Sequence, residues 1–157
     1  MSDYRIIREY KYPIDEVWEV LTAPEWVARW TTTGQGGRPE DFAPVVGQRF
    51  RFVGKPTMGW AGVVYCEVKE VDEPRMLHYT WKGDEESDDV TDVRYLLEPT
   101  ADGTRFTWDH TGFTGVGGFA MSRLLSSVRH KMLQDGVPPV LAELHRQRVG
   151  RSPSHGE

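Results

Sequence analysis

Two stretches of the sequence combine residue types that could do chemistry. Asp109 and His110 are adjacent, as though they formed part of a catalytic triad. Shortly after them, the segment from Gly115 to Ala120 fits the G-x-G-x-x-A variant of the dinucleotide fingerprint. Whether either stretch forms a site depends on the elements that carry it.

Asp109 and His110 lie in the segment TRFTWDH, whose alternation predicts a strand with Phe106, Trp108 and His110 on one face. Neighbouring residues on a strand point to opposite faces, so the two side chains cannot bond each other. Cys66 lies among alternating valines of another predicted strand and is interpreted as a structural thiol. The sequence therefore offers no candidate for nucleophilic catalysis.

The glycine pattern fails on its context. A dinucleotide fold requires a second parallel strand after the helix, with an acidic residue about 20 positions on. Here a meander of strands precedes the glycines and a long helix follows them. We interpret the glycines as a flexible turn between the last strand and the terminal helix.

The histidines do not suggest a metal site. They stand at positions 78, 110, 130, 145 and 155, without a close ligand spacing, so neither a metal nor a cofactor is expected. His130, between Arg129 and Lys131, is expected on a solvated helix face. The acidic run at 83–89 is interpreted as a solvated hairpin loop.

Alternating segments predict one strand at residues 4–12 and five further strands in succession after a long loop at 31–47. Short turns between the five imply an antiparallel meander. One face of this sheet collects rings, several with polar tips: Phe50, Phe52, Tyr79, Trp81, Tyr95, Phe106, Trp108 and His110. Because polar-tipped rings need partners when buried, part of the face is expected to line a pocket for an aromatic or polycyclic ligand.

Two short helices are predicted after the first strand. Apolar residues at helical spacing follow Pro13, and Pro13 itself suits the start of a helix. Thr22 and Glu25 then have the spacing of a capping box, which predicts a second helix carrying Trp26 and Trp30.

A long helix is predicted from Phe119 to the end of the folded region. Its first apolar stripe consists of Met121, Leu124, Leu125, Val128 and Met132. On a straight helix the next stripe, at 137–144, would be rotated by about 140° from the first. Gly136, Pro138 and Pro139 therefore predict a kink or break between the two stripes. If the second stripe is exposed, it would support a homodimer.

Composition bounds the function. The 157 residues suit one domain, expected at 1–149 with a disordered tail at 150–157. A net charge of −5 supplies no basic field for nucleic acid or an anionic membrane, and no apolar run is long enough to span a bilayer. The single cysteine cannot form a disulfide within the chain, so the protein is expected to be cytoplasmic. With nucleic acid and membranes excluded, the expected partner is a small hydrophobic molecule.

The order of elements is an α+β layout: a curved antiparallel sheet of about six strands around a long C-terminal helix. Four segments carry a family resemblance: YKYPIDEVWEVLTAPEWVARW, VGQRFRF, VKEVDEPRMLHYTW and VRYLLEPTADGTRFTWDHTGF. Over residues 4–125 the chain resembles the activator of heat-shock protein 90 ATPase homologue family of the START-like (Bet v 1-like, SRPBCC) superfamily. The resemblance implies a helix-grip fold with a hydrophobic cavity between sheet and helix.

Three functions follow as expectations. The first is binding of a small hydrophobic ligand by Arg8, Phe50, Phe52, Cys66, Tyr79, Trp81, Tyr95, Phe106, Trp108, His110, Met121 and Leu125. The second, by resemblance to polyketide cyclases and aromatases, is acid/base catalysis by His110 assisted by Tyr79 or Tyr95, with Arg8 stabilising an enolate if its side chain points inward. The third is co-chaperone action, which the family name suggests. The named activators carry an additional N-terminal domain that is not expected here.

Overall fold

A computed structural model of the chain describes residues 3–32, 37–55, 62–83 and 90–150. The strands are β1 Tyr4–Tyr10, β2 Arg38–Glu40, β3 Arg49–Val53, β4 Val63–Asp72, β5 Met76–Lys82, β6 Thr91–Pro99 and β7 Thr104–Thr111. The helices are α1 Ile14–Thr22, α2 Pro24–Thr31, α3 Gly115–Lys131 and α4 Val137–Gly150, with a π-helical turn at Met132–Gly136 between α3 and α4. The predicted α+β layout is confirmed.

The strands form one antiparallel sheet in the order β1-β7-β6-β5-β4-β3-β2. Strands β2 to β7 follow each other as a meander, and β1 closes the far edge against β7. A bulge between Val68 and Glu70 bends β4 relative to β5. The sheet has one strand more than the six predicted, because the three-residue β2 lies in a segment of turn composition and pairs with β3 at the edge of the sheet.

Alternation along the strands separates an inner from an outer face, as the sequence predicts. Phe106, Trp108 and His110 are buried, whereas Asp109 lies outside and forms an ion pair of 3.5 Å with Arg5. The separation of Asp109 from His110 is therefore confirmed, and with it the absence of a triad between these two residues.

Helices α1 and α2 form where predicted, but the predicted capping box is wrong. The residue before α2 is Ala23, which makes no side-chain cap, and Pro24 opens the helix. The Thr22 hydroxyl instead donates a hydrogen bond of 2.7 Å to the Trp18 carbonyl within α1. Thr22 is buried in this position, so its hydroxyl is satisfied one turn back and does not cap the next helix.

The long C-terminal helix begins at Gly115, four residues before the predicted start, and runs to Gly150. At the position of the predicted kink or break, the structure has the π-helical turn at Met132–Gly136. There the N–H of Val137 bonds the carbonyl of Met132, five residues back. The carbonyl of Leu133 would next need the N–H of Pro138, which a proline lacks. The Tyr10 hydroxyl supplies the missing donor, at 2.8 Å from the Leu133 carbonyl oxygen.

The predicted first stripe of the helix is wrong in part: Leu125 and Met132 are buried and Val128 is half-buried, but the other two members are exposed. The side chains of α3 that are buried against the sheet are Ser122, Leu125 and Arg129, while Met121 and Leu124 are exposed. On a straight helix this face would differ by roughly 80° from the buried face of α4. A π-helical turn holds about one extra residue, which shifts the following residues by about 100° and brings the two faces nearly into line.

The second stripe is not available for a homodimer. Its members are buried within the chain: Val137, Val140, Leu141 and Leu144. The route to dimerisation that depended on their exposure is therefore wrong. The acidic run, apart from Gly83, and the tail from residue 151 lie outside the described residues.

Replacing Tyr10 by Phe tests the bond at the π-helical turn. We expect Tyr10→Phe to lower the free energy of unfolding by about 1–3 kcal/mol, because the buried Leu133 carbonyl loses a donor that no neighbouring N–H replaces. Urea denaturation measures the change. Tyr12→Phe is the control: the half-buried Tyr12 ring packs on His145, its hydroxyl bonds no group in the described part of the chain, and the expected change is within about 0.5 kcal/mol. Equal losses in both variants would contradict the role given to Tyr10.

Candidate functional site

The rings predicted to line a pocket meet on the inner face of the sheet. Trp108 is the centre of this cluster, with ring centroids at 4.8 Å from Tyr95 and 6.3 Å from Trp30 of α2. We call the inner side of the sheet around it the aromatic face, defined by Tyr79, Trp81, Tyr95, Phe106, Trp108 and His110. Phe50 packs edge-on against Tyr79 at 5.2 Å and extends the cluster towards Phe52.

The polar tips of two tyrosines face each other in this cluster. The hydroxyls of Tyr79 and Tyr95 lie 3.2 Å apart and share one hydrogen bond. Burial raises the pKa of both groups well above that of an exposed tyrosine. Burial also raises the pKa of the neighbouring Cys66 thiol. All three groups are therefore neutral at physiological pH.

His110 is held in a chain of hydrogen bonds that fixes its tautomer. The Thr91 hydroxyl donates to the Trp81 carbonyl at 3.0 Å, so its single proton is used. Thr91 must then accept from His110 Nε2, 2.7 Å away, which places the imidazole proton on Nε2. His110 Nδ1 is left as the acceptor for the Tyr4 hydroxyl, at 3.1 Å.

This arrangement keeps His110 uncharged. Burial, together with the positive charge of Arg129, lowers the pKa of His110 to about 2. Its side chain has no exposed surface. At neutral pH His110 is thus an imidazole that already uses both ring nitrogens.

The remaining predicted ligand-binding residues lie at different distances from the aromatic face. Arg8 points from β1 to the end of α3, where Nη2 lies 3.2 Å from His130 Nδ1 and 3.5 Å from Gln134 Oε1. Leu125 of α3 is buried in the hydrophobic core that includes the rings of the aromatic face, whereas Met121 is 38% exposed. The structure therefore brings Leu125 into this core but not Met121.

Sequence reasoning missed Arg129 as a residue of the interior. Arg129 was expected on the solvated side of the helix with His130 and Lys131, which are indeed exposed. The Arg129 side chain is instead buried, and Cζ lies 5.0 Å from the centroid of the Trp108 ring. Its position three residues before Met132 and four after Leu125, both buried, is the one signal in the sequence that could have identified it.

Tyr4 is the second residue that sequence reasoning did not single out. Its ring packs on His110 and Phe113, and its hydroxyl belongs to the chain that holds His110. Burial raises the pKa of Tyr4 to about 12, against the opposing effect of the Arg129 charge and of the polar hydrogens of Trp108 and Arg129. Tyr4, Trp108 and Arg129 thus share one small region beneath α3.

Several buried donors in this region lack an acceptor. The indole Nε1 of Trp81, the indole Nε1 of Trp108 and the Nε of Arg129 have no hydrogen-bond partner in the described part of the chain. Folded proteins leave few such groups, because each buried donor without an acceptor costs about 1–3 kcal/mol. Three of them on one surface indicate that this interior is not a fully satisfied core.

A groove of about 390 Å³ opens on the outside of the same region, between the start of β1 and α3. Its lining consists of Asp3, Tyr4, Phe119, Ser122, Arg123, Ser126, Ser127 and His130. None of the predicted ligand-binding residues lines this groove. Tyr4 connects the two places, because its ring forms part of the groove wall while its hydroxyl bonds His110 behind it.

Within residues 3–32, 37–55, 62–83 and 90–150, no three His, Cys, Asp or Glu side chains are grouped so that they could hold a metal ion. In the same ranges, no helix combines the length and the apolar character needed to cross a membrane.

Comparisons with known proteins agree with this architecture. The model of the family described as Activator of Hsp90 ATPase homolog 1-like protein matches residues 11–134. No curated protein matches the chain.

Three solved structures illustrate the similarity. Protein MLL2253 from Mesorhizobium loti is 23% identical, with a TM-score of 0.69 over 90% of this chain and 97% of that one. CalU16 from Micromonospora echinospora is 19% identical, with a TM-score of 0.59 over 90% of this chain and 82% of that one. DynU16, a protein of the dynemicin biosynthetic locus, is 22% identical, with a TM-score of 0.65 over 88% of this chain and 49% of its own. At these identities the likeness shows the fold alone.

The neutral state of His110 predicts a specific dependence of stability on pH. An unfolded chain protonates this histidine below pH 6.5, whereas the folded chain does so only near pH 2. Folding stability is therefore lost as the pH falls below 6.5, by about 2 kcal/mol at pH 5. The loss of unfolding free energy between pH 7.5 and 5, measured in urea, should be about 2 kcal/mol smaller in His110→Gln than in the wild type.

Nitrogen NMR of the imidazole provides an independent check. At pH 5 the His110 ring should still be neutral, with its proton on Nε2. A protonated ring at this pH, or the same pH dependence of stability in both proteins, would contradict the assignment.

Proposed function

Because the chain belongs to the Activator of Hsp90 ATPase homolog 1-like family, we propose that it uses the space between sheet and C-terminal helix to bind a small hydrophobic molecule. The ligand is aromatic or polycyclic, and its rings lie against the aromatic face. Trp81, Tyr95 and Trp108 form the walls. Tyr79 and the residues around it close the inner end of the proposed ligand site.

The observation that carries this proposal is the pair of indole N–H groups without acceptors. Trp81 and Trp108 are both more than nine-tenths buried, yet neither Nε1 makes a well-formed hydrogen bond in the described part of the chain, and the nearest polar neighbour of Trp108 is the Tyr4 hydroxyl, which already bonds His110. Trp30, by contrast, donates to the Val20 carbonyl at 2.7 Å, as a buried core tryptophan usually does. A ligand with an oxygen or nitrogen acceptor would satisfy the two free donors.

The helix above this surface contributes little apolar packing of its own. Within α3 only Leu125 is a buried apolar residue, and the larger apolar side chains Val116, Phe119 and Leu124 are more than half exposed. The apolar area that α3 buries on the sheet is correspondingly small. A bound aromatic molecule would add the apolar contact that α3 itself does not make.

The groove between β1 and α3 is the proposed route to this space. Its volume of about 390 Å³ falls within the range of small-molecule pockets. Tyr4 and the buried Ser122 separate the groove from the region of Trp108 and Arg129. A modest displacement of α3 from β1 would join the two.

Acid/base catalysis, the second expectation, receives less support from the electrostatics of the site. A general base is most effective when its pKa lies near the working pH, and the pKa of His110 is lowered to about 2. Tyr79, whose hydroxyl is shared with Tyr95, has a pKa far above neutral. DynU16 comes from the dynemicin biosynthetic locus, and a role in biosynthesis here would fit binding of an intermediate as well as its conversion.

Nile red, a neutral polycyclic dye with a carbonyl acceptor, tests the proposal. We expect saturable binding to the wild type with increased fluorescence. Trp108→Phe should weaken binding at least about fivefold, because the dye loses one hydrogen-bond donor and part of its ring contact.

Trp26→Phe is the matched control, because Trp26 is equally buried but donates to Glu19 in the helical layer at 3.3 Å. It should keep the wild-type affinity for the dye. The absence of saturable binding to the wild type, or an equal loss in both variants, would refute a ligand site at the aromatic face.

A further inference from the structure

Arg129 is a buried cation whose charge is not matched by the protein. Only 8% of the residue is exposed. Nη1 donates to the Met132 sulfur at 3.8 Å, the guanidinium lies over the Trp108 ring, and Nε has no acceptor. None of the carboxylates in the described ranges forms an ion pair with it.

Other arginines of the chain show what is missing. Arg29 pairs with Glu143, and Arg105 pairs with both Glu9 and Glu98, although all of these side chains are largely solvated. The one arginine of α3 that faces the interior has a sulfur, a ring and the neutral hydroxyl of Tyr4 as its neighbours instead. Burial of a cation without a carboxylate or comparable acceptors is unfavourable, so a residue of this kind calls for a functional explanation.

The ionisable groups around Arg129 do not supply the missing negative charge. Its positive charge acts on Tyr4, Cys66, Tyr79, Tyr95 and His110. The first four are weak acids whose pKa values are raised by burial, so they stay protonated, and His110 stays a neutral imidazole. Asp3, the carboxylate in the groove wall, accepts a hydrogen bond of 2.8 Å from the Gly112 backbone.

We propose that Arg129 binds the anionic group of the ligand, and that the ligand is an aromatic compound with a carboxylate. This inference rests on the ligand site proposed above and specifies what occupies it. The carboxylate accepts from the guanidinium and from the free indole N–H of Trp108, while the rings lie on the aromatic face.

The charge balance favours a carboxylate over a phosphate. One cation among neutral groups is compensated by one negative charge, whereas a phosphate dianion would leave a buried excess charge. A planar guanidinium also offers parallel N–H donors that match the two oxygens of a carboxylate.

A pair of probes of nearly the same shape, one anionic and one neutral, tests the inference: 2-naphthoate and 2-naphthamide. Dissociation constants are measured by isothermal titration calorimetry at pH 7.5. The wild type should bind naphthoate at least about tenfold more tightly than the amide. Arg129→Met should bring the ratio of the two constants close to one, because naphthoate loses its charge partner and the amide loses at most a neutral hydrogen bond. Arg146→Met, which removes an exposed arginine of α4, should leave the wild-type ratio unchanged.

Two further variants make the test specific for Arg129. Arg129→Lys keeps the charge but loses the planar fork, and should retain part of the preference. Arg123→Met removes the arginine of the groove wall. If Arg123→Met loses the preference for naphthoate while Arg129→Met keeps it, the carboxylate binds in the groove between β1 and α3 and the inference is wrong.

Thermal unfolding without ligand separates a binding role from a structural one. Because Arg129→Met removes an unmatched buried charge, its Tm should equal or exceed that of the wild type. A clearly lower Tm would show that Arg129 stabilises the fold and would overturn the inference. Equal binding of both probes to the wild type would also overturn it while leaving the ligand site intact. If neither probe binds although Nile red does, the inference is overturned and the proposed function stands; if Nile red does not bind either, the proposed function itself fails.

Discussion

The structure depends on how the C-terminal helix passes two prolines without breaking. Pro138 and Pro139 cannot donate hydrogen bonds, so the carbonyls before them need another arrangement. The π-helical turn provides it, with Val137 bonding back to Met132 and Tyr10 donating to Leu133. The extra residue in this turn also sets the rotation of α3 relative to α4. It therefore decides that Leu125 and Arg129 face the sheet together with the apolar residues of α4.

The interior that results differs in its two halves. Under α4 and the two short helices, aliphatic side chains and satisfied tryptophans form an ordinary core, with Trp30 bonded to Val20. Under α3, the indole N–H groups of Trp81 and Trp108 have no hydrogen-bond partner in the described part of the chain, and the Arg129 guanidinium lies over the Trp108 ring. A hydrophobic core that only stabilises the fold has no need for these polar groups, because aliphatic residues of similar volume would pack without the cost of desolvation. This contrast is the reason for proposing the ligand site at the α3 end.

The strands of the sheet could be predicted because side chains alternate between the two faces at every residue. An error of one residue would move all the apolar side chains of a strand to the solvent face. This holds for Leu77, Tyr79 and Trp81 on β5 and for Phe106, Trp108 and His110 on β7, all of which are buried as expected. The orientation of the C-terminal helix could not be predicted in the same way. The rotation of α3 depends on the π-helical turn, which the spacing of apolar residues does not reveal. That spacing therefore places Leu124 in the interior and Arg129 in solvent. Charged residues are rarely buried without a partner. The residue most informative about the site was for this reason the one that sequence rules assign to the surface.

The sparse packing of α3 has a consequence for the timescales on which this protein moves. Its first turn contains Gly115, Gly117 and Gly118, each with low helix propensity, and only one buried apolar residue follows before the π-helical turn. Helix α4 has four. Opening free energies within one helix should therefore form a gradient, with amide hydrogens of α3 exchanging through local fluctuations and those of α4 only in larger unfolding events. The C-terminal helix thus combines a stable part, α4, with a part, α3, whose packing against the sheet opens at a small cost in free energy.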